Sequence, residues 1–283
     1  LEQSKETNSE KLLSELGRVG WDLALARDNE PLARNGVTYI LHFFKERFPV
    51  LPDLSVMKQE LTKLCDEYLK MIEDTKALMI AKNAKNLTYI DKMLTHCHSS
   101  TAVAIMKVIG KGDPDFEVVC TETRPRMQGH KTAKSMLEAG VKTTLIADSA
   151  AESFVIGRGN IKIDGIFIGC DQITAEGHTI NKIGSWGIAM AAYYAGKPLY
   201  VVTPLLKIDP TSFLDTVKIE VREDAELWED APKGLRLYNP AFEIVDSVLI
   251  TGYLTEFGMV APDKIKGLVK EKYPWIFDNM VIK

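Results

Sequence analysis

From Ile90 onward the chain alternates short β-rich runs with stretches of helical period, and no other feature restricts its possible folds so tightly. The β-rich runs are 90–95, 116–121, 143–147, 165–168, 199–203 and 247–251, and the helical stretches between and after them are 101–110, 129–139, 150–156, 185–195 and 263–273. Strand followed by helix, repeated, predicts a parallel sheet covered on both faces, an α/β domain of Rossmann-like topology. Gly110, Gly140 and Gly196 fall just past three of the helical stretches, where C-terminal caps belong. No G-x-G-x-x-G follows any run, so the dinucleotide fingerprint is absent, and a fold class alone does not set a function.

Ahead of this domain the texture is helical throughout. Leu12, Leu13, Leu16, Val19, Leu23 and Ala26 recur at spacings of three and four, which predicts an amphipathic helix. Pro31 and Asn35-Gly36 punctuate the next stretch, whose apolar face (Tyr39, Ile40, Phe43, Phe44) stops at Phe48-Pro49 because proline cannot continue a helix. Residues 53–84 carry a long stripe through Met57, Leu61, Leu64, Tyr68, Met71, Ile72, Leu78 and Met79. The expected organisation is an all-helical unit over 1–86 and the Rossmann-like α/β domain over 87–283, with the active site on the latter.

Composition removes several function classes. A net charge of −4 and a pI near 5.8 favour neither nucleic acid nor an anionic membrane. There is no run of eighteen apolar residues, and residues 1–11 are polar rather than signal-like, so a cytoplasmic protein is expected. The four cysteines (Cys65, Cys97, Cys120, Cys170) contain no C-x-x-C pair and read as reduced thiols. The five histidines show no H-E-x-x-H, so no metal site is expected.

The chemistry concentrates where runs end. Run 90–95 ends in His96-Cys97-His98-Ser99-Ser100 before a helix, and in an open α/β sheet that turn lies at the carboxyl edge, where ligands bind. Ser99 or Ser100 would cap the helix, whose amides and dipole would favour a thiolate at Cys97. If the strand persists, His96 and His98 point to opposite sides and only one faces the site with Cys97. The second run leads into Thr121-Glu122-Thr123-Arg124-Pro125 and Gln128-Gly129, where the Arg124 guanidinium would hold a phosphate or carboxylate, or pair with Glu122 or Asp148. The third gives Asp148-Ser149, either of which would cap the next helix. The fourth gives Cys170-Asp171-Gln172: Asp171, partly desolvated beside an apolar run, would have its carboxyl raised toward the range of proton transfer, whereas Cys170 reads as packing. Asn181-Lys182 is expected at a turn before a helix, suited to sugar hydroxyls and phosphate, and Lys207 is a second candidate of that kind.

Taken together, Thr95-His96-Cys97-His98-Ser99, Thr121-Glu122-Thr123-Arg124-Pro125, Asp171-Gln172-Ile173-Thr174, Asn181-Lys182-Ile183-Gly184 and Asn239-Pro240-Ala241-Phe242 resemble one superfamily. It unites the archaeal ribose-1,5-bisphosphate isomerases, the methylthioribose-1-phosphate isomerases and the regulatory alpha, beta and delta subunits of the exchange factor for eukaryotic translation initiation factor two. The wording around Cys97 looks most like the ribose-1,5-bisphosphate group. The resemblance implies aldose–ketose isomerisation of a sugar 1-phosphate with no cofactor, Cys97 and Asp171 being the catalytic pair: Cys97, as thiolate, moves the carbon-bound proton and Asp171 shuttles the oxygen-bound one. His96, His98, Ser99, Arg124, Gln128, Asn181, Lys182 and Lys207 would contact the substrate, its phosphate lying near the two lysines. A homodimer or homohexamer is implied as well. The alternative is a non-catalytic regulatory subunit that binds a sugar phosphate or nucleotide and a protein partner. The Arg-Gly-Ala and Thr-Arg-Pro-Thr segments usual in these enzymes are replaced here by Gly17-Arg18-Val19-Gly20 and Asn35-Gly36-Val37-Thr38.

Overall fold

The computed structural model describes Ser4 and residues 6–278. Three helices lead: α1 (Ser9–Ala24), α2 (Pro31–Arg47) and α3 (Leu54–Asn83). Asn8 caps α1 by accepting the Lys11 N–H, and Asp53 caps α3 by accepting from Ser55 and Val56. Asn35-Gly36 does not break the chain as its composition suggests but lies inside α2. The Asn35 side chain donates to the Leu206 and Ile208 carbonyls at 2.7 and 2.9 Å, and a Cβ on Gly36 would lie 2.8 Å from the Tyr68 ring, so this pair lets α2 dock closely on both sides. Val19 and Leu23, read as part of the buried stripe of α1, are exposed.

The rest runs β1 (Lys92–His96), α4 (Ser100–Gly112), β2 (Glu117–Thr121), α5 (Gln128–Glu138), β3 (Lys142–Ile146), α6 (Ala151–Val155), β4 (Gly165–Ile168), β5 (Gln172–Ile173), β6 (Thr179–Lys182), α7 (Ser185–Tyr194), β7 (Leu199–Val202), α8 (Asp224–Leu227), β8 (Phe242–Val245), β9 (Gly252–Thr255), β10 (Gly258–Val260) and α9 (Ile265–Lys272). The main sheet has the order β3-β2-β1-β4-β7-β9-β10, parallel except for the last pair. Strand order therefore reverses between β1 and β4, and the crevice beyond their carboxyl ends is the switch point where α/β folds bind ligands.

Alternation along each central strand feeds two separate cores. Leu94, Val119, Ile166, Ile168, Leu199 and Val201 join one, with residues of α1, α2, α3, α6, α7 and α9; Met93, Val118, Cys120, Phe167, Tyr200 and Val202 join the other, with α4, α5 and the end of α3. Burial on both faces explains why these strands read as continuous apolar runs.

Four local expectations fail for physical reasons. The β-rich run 247–251 is a 3-10 turn over Ser247–Leu249, and the strand follows it at β9. Asn181 and Lys182 close β6, which pairs with β5 and β8 in a small antiparallel sheet that the sequence pattern does not reveal. Gly110 lies inside α4, where a Cβ would come within 2.6 Å of Val141, so it serves close packing rather than a cap. Asp148 caps nothing: its two oxygens accept the Thr123 and Arg124 backbone N–H groups at 2.7 Å each, pinning the turn after β2. No helix among the described residues is long and apolar enough to cross a membrane.

Candidate active site

Cys97 follows β1 directly, and Asp171 lies three residues past β4. The parallel pairing of His96 with Ile168 brings the two strand ends level. Both residues line one cavity of about 560 Å³, together with His96, His98, Ser99, Gln128, Asn181, Lys182 and Lys207. That volume is in the range of small-molecule sites. Of the sequence-predicted contacts only Arg124 is absent from the lining: its backbone is held by Asp148 and its side chain is exposed.

The chain departs from strand geometry at Cys97, whose φ of +69° is in the left-handed region. That turn is held by hydrogen bonds: the Cys97 N–H donates to Thr123 Oγ1 at 2.9 Å and the Thr132 hydroxyl donates to the Cys97 carbonyl at 2.8 Å. A strained, over-determined backbone of this kind is what a functional site tolerates. It also breaks the strand alternation, so His96 and His98 both reach the cavity rather than one of them.

Their tautomers follow from their partners. His96 Nε2 lies 2.8 Å from the Ile183 carbonyl, which only accepts, so Nε2 carries the proton and Nδ1 accepts from the Thr121 hydroxyl at 2.7 Å. The Thr132 hydroxyl spends its proton on Cys97, so His98 Nδ1 donates to it at 3.0 Å and His98 Nε2 is left as an acceptor. Burial lowers the pKa of both rings, and Lys131 lowers that of His98 further, so both are neutral at pH 7. Ser99 caps α4 by accepting the Ala102 N–H. Gly169 admits it: a Cβ there would sit 3.1 Å from the Ser99 Cβ.

Asn181 and Lys182 are nearly fully buried. Asn181 Nδ2 donates to Ser185 Oγ at 2.8 Å, and the Lys182 ammonium lies 4.5 Å from the Phe242 ring centroid. Lys182 has no ion-pair partner among the described residues, and burial depresses its pKa. Lys207 Nζ donates to the Cys170 carbonyl at 2.8 Å, next to Asp171. Two ammonium groups without carboxylate partners at hydrogen-bond distance make this end of the cavity an anion site.

Burial pushes the Cys97 thiol up to about 11, against the lowering effects of the His98 amide and Lys182. The helix terminus thus does not lower the thiol, because Cys97 is two residues short of the capping Ser99 and desolvation outweighs the dipole. Burial likewise raises Asp171, with Lys207 opposing it. One consequence is measurable. The alkylation rate of Cys97 by iodoacetamide, read on its peptide by mass spectrometry, should climb about tenfold per pH unit through pH 9 instead of levelling near the ordinary thiol value of about 8.5; a plateau below pH 8 would contradict the burial argument.

Sequence reasoning missed Arg27, Lys76 and Arg222, which also line the cavity. Each sits in a segment brought there only by tertiary packing, and no local pattern marks it. Among the described residues no group of three or more His, Cys, Asp or Glu is arranged to hold a metal ion.

With this geometry in view, comparisons with known proteins are specific. A family model described as the initiation factor 2 subunit family matches residues 1–262. The ribose 1,5-bisphosphate isomerase of Methanocaldococcus jannaschii is 32% identical over 277 residues, 95% of this chain and 84% of that protein. The methylthioribose-1-phosphate isomerase of Symbiobacterium thermophilum is 37% identical over 201 residues, 64% of this chain and 55% of that protein. Among solved structures, 5-methylthioribose 1-phosphate isomerase from Pyrococcus horikoshii OT3 superposes with a TM-score of 0.73 at 27% identity, covering 96% of this chain and 79% of that one.

Proposed function

The chain belongs to the initiation factor 2 subunit family, and from that premise we propose that it is a sugar-phosphate isomerase of the ribose-1,5-bisphosphate type. The observation that carries this reading is the shared cavity of Cys97 and Asp171 with the unpaired ammonium groups of Lys182 and Lys207.

The net reaction moves one proton from C2 to C1 and another from the C2 hydroxyl to the ring oxygen, while the C1–ring oxygen bond breaks and the C2 carbonyl forms. No electron leaves or enters the sugar. Two proton carriers of different kinds suffice, one for carbon and one for oxygen. Passage of the Cys97 proton to Asp171 gives a thiolate and a carboxylic acid. The acid protonates the ring oxygen, the thiolate takes the C2 proton and returns it to C1, and Asp171 receives the hydroxyl proton before handing it back to sulfur. Lys182 and Lys207 hold the 1-phosphate, and their charge favours the transient thiolate. His96, His98, Ser99, Gln128 and Asn181 face the sugar hydroxyls.

In this reading the described part of the helical domain, Ser4 and residues 6–86, closes the cavity through α3, and residues 87–278 of the α/β domain carry the proton carriers. A homodimer or homohexamer is part of the reading: Trp186, Met190, Tyr193 and Tyr194 of α7 stay exposed beside Val248 although the helix is apolar around its whole circumference, and a second copy would cover them. Met190→Glu with Tyr194→Glu should then halve the particle mass or more in light scattering, and a wild-type monomer would remove this part. A cytosolic setting agrees with the thiols.

The decisive experiment is isomer exchange followed by NMR on a panel of pentose 1-phosphates, with ribose 1,5-bisphosphate expected to turn over fastest. No turnover of any member would count against the isomerase and favour a regulatory subunit that binds sugar phosphate or nucleotide.

A further inference from the structure

Three non-glycine residues among those described take a positive φ, and two of them are hydrogen-bonded to each other. Cys97, at +69°, donates its N–H to the hydroxyl of Thr123, itself at +64°. A β-branched side chain suits the left-handed region poorly, so Thr123 holds a backbone conformation that its own chemistry disfavours. Strain of this sort persists only where the surrounding structure over-determines it.

The surroundings are three neighbouring strand ends. β3, β2 and β1 are adjacent and parallel, and one residue just past each end takes part: Asp148 after β3, Thr123 after β2 and Cys97 after β1. Asp148 accepts the Thr123 N–H through one oxygen and the Arg124 N–H through the other. With its backbone fixed in this way, Thr123 has no exposed surface and its Oγ1 meets the Cys97 N–H at 2.9 Å.

The bond continues inward. The Thr123 hydroxyl lies 3.3 Å from Thr121 Oγ1, whose own proton goes to His96 Nδ1, and His96 Nε2 donates to the Ile183 carbonyl beside Lys182. Every link runs in one direction from the Cys97 amide, so each polarises the next. On the other side α5 bars relaxation, because a Cβ on Gly129 would overlap the Thr121 carbonyl oxygen.

We infer that Thr123, held by Asp148, is a positioning residue whose hydroxyl keeps Cys97 in the left-handed turn that aims the thiol into the cavity. What the thiol does there rests on the proposed function. Neither Thr123 nor Asp148 lines the cavity, so both act through Cys97 and not on the sugar. A strand continued through Cys97 would place its side chain on the face of Met93 and Thr95 instead.

Four variants separate the hydroxyl from the backbone shape. Thr123→Val keeps the size and the β-branch and loses the acceptor; Thr123→Gly suits a φ of +64° and loses it too; Thr123→Ser keeps the acceptor with less strain. Asp148→Asn leaves one oxygen for two N–H groups. The valine and glycine proteins should lose about tenfold to a hundredfold in kcat, the scale for a reacting group moved by about an ångström, with KM within about twofold. Serine should stay within about threefold of the wild type, and Asp148→Asn should fall between. The same order should appear without substrate. A Cys97 released from its turn is less buried, so iodoacetamide at pH 8 should alkylate it about threefold faster or more in the valine and glycine proteins, with serine at the wild-type rate.

A serine protein as impaired as the valine one would make Thr123 a packing residue, and a glycine protein matching the wild type in both measurements would leave the hydroxyl without a role; either overturns the inference. If valine does not fold, glycine, serine and Asp148→Asn carry the same comparison. Alkylation needs no turnover, so a wild type that alkylates as expected but turns over no sugar phosphate overturns the isomerase reading alone. Turnover intact, with kcat and alkylation unchanged across the series, overturns this inference alone.

Discussion

Cys97→Ser is expected to lower isomerase turnover by roughly 10²–10⁴-fold, the range assigned to a positioned proton carrier, while leaving affinity for a sugar phosphate within a few-fold. The side chains are nearly the same size, so the cavity and the turn at Cys97 should survive. A serine hydroxyl is a far weaker acid than a thiol and cannot become a base toward carbon at neutral pH. The structure sharpens this expectation, since burial already holds the thiol near 11 and leaves no margin for a still less acidic group. NMR of the exchange reaction together with calorimetric binding separates the two effects. Turnover within tenfold of the wild type would show that sulfur carries no proton. In D₂O the wild type should place deuterium at C1 of the product to the extent that the proton held by sulfur exchanges with solvent before its return; unchanged retention and turnover in Cys97→Ser would remove Cys97 from that step.

The sheet domain is legible in the sequence because its central strands are buried on both faces and its helices on one, a contrast of period that survives without tertiary information. Strand ends are legible for the same reason, and Cys97 and Asp171 stand out as polar interruptions past apolar runs. What escapes is decided by contacts distant in sequence. Asn35-Gly36 has the composition of a turn, yet the Leu206 and Ile208 carbonyls and the Tyr68 ring hold it in a helix. Lys182 reads as a turn lysine, yet pairing of β6 with β8 buries it against Phe242. The run 247–251 has the residues of a strand, but pairing with β7 starts only at Gly252. Arg124 fits an anion-binding pattern, and the two oxygens of Asp148 orient its backbone so that the side chain faces solvent. Arg27 and Arg222 are visible only once Asn29 and Glu220 have drawn their segments together.

Asp171→Asn should cost turnover on the same scale as the cysteine change, roughly 10²–10⁴-fold, but through the other proton. A carboxamide keeps the shape and cannot pass a proton from the C2 hydroxyl to the ring oxygen. The two variants are distinguished from the ketose side, where exchange of the C1 hydrogens with D₂O needs only a carbon base and no ring closure. Asp171→Asn should retain that exchange at a reduced rate, and Cys97→Ser should lose it; the opposite pattern would swap the two roles. A second reading checks the electrostatics. The Asp171 charge contributes to raising the Cys97 thiol, so its removal should lower that thiol's titration point and speed alkylation at any fixed pH below 9. Stability should move in step. Burial raises Asp171 above its unfolded value, so its contribution favours the folded state at low pH and is lost as pH rises through the folded value. At pH 7 the uncharged asparagine avoids that penalty, and Asp171→Asn should melt no lower than the wild type while being catalytically disabled, the combination expected where a site trades stability for chemistry. A clear drop in melting temperature at pH 7 would instead make Asp171 a structural group.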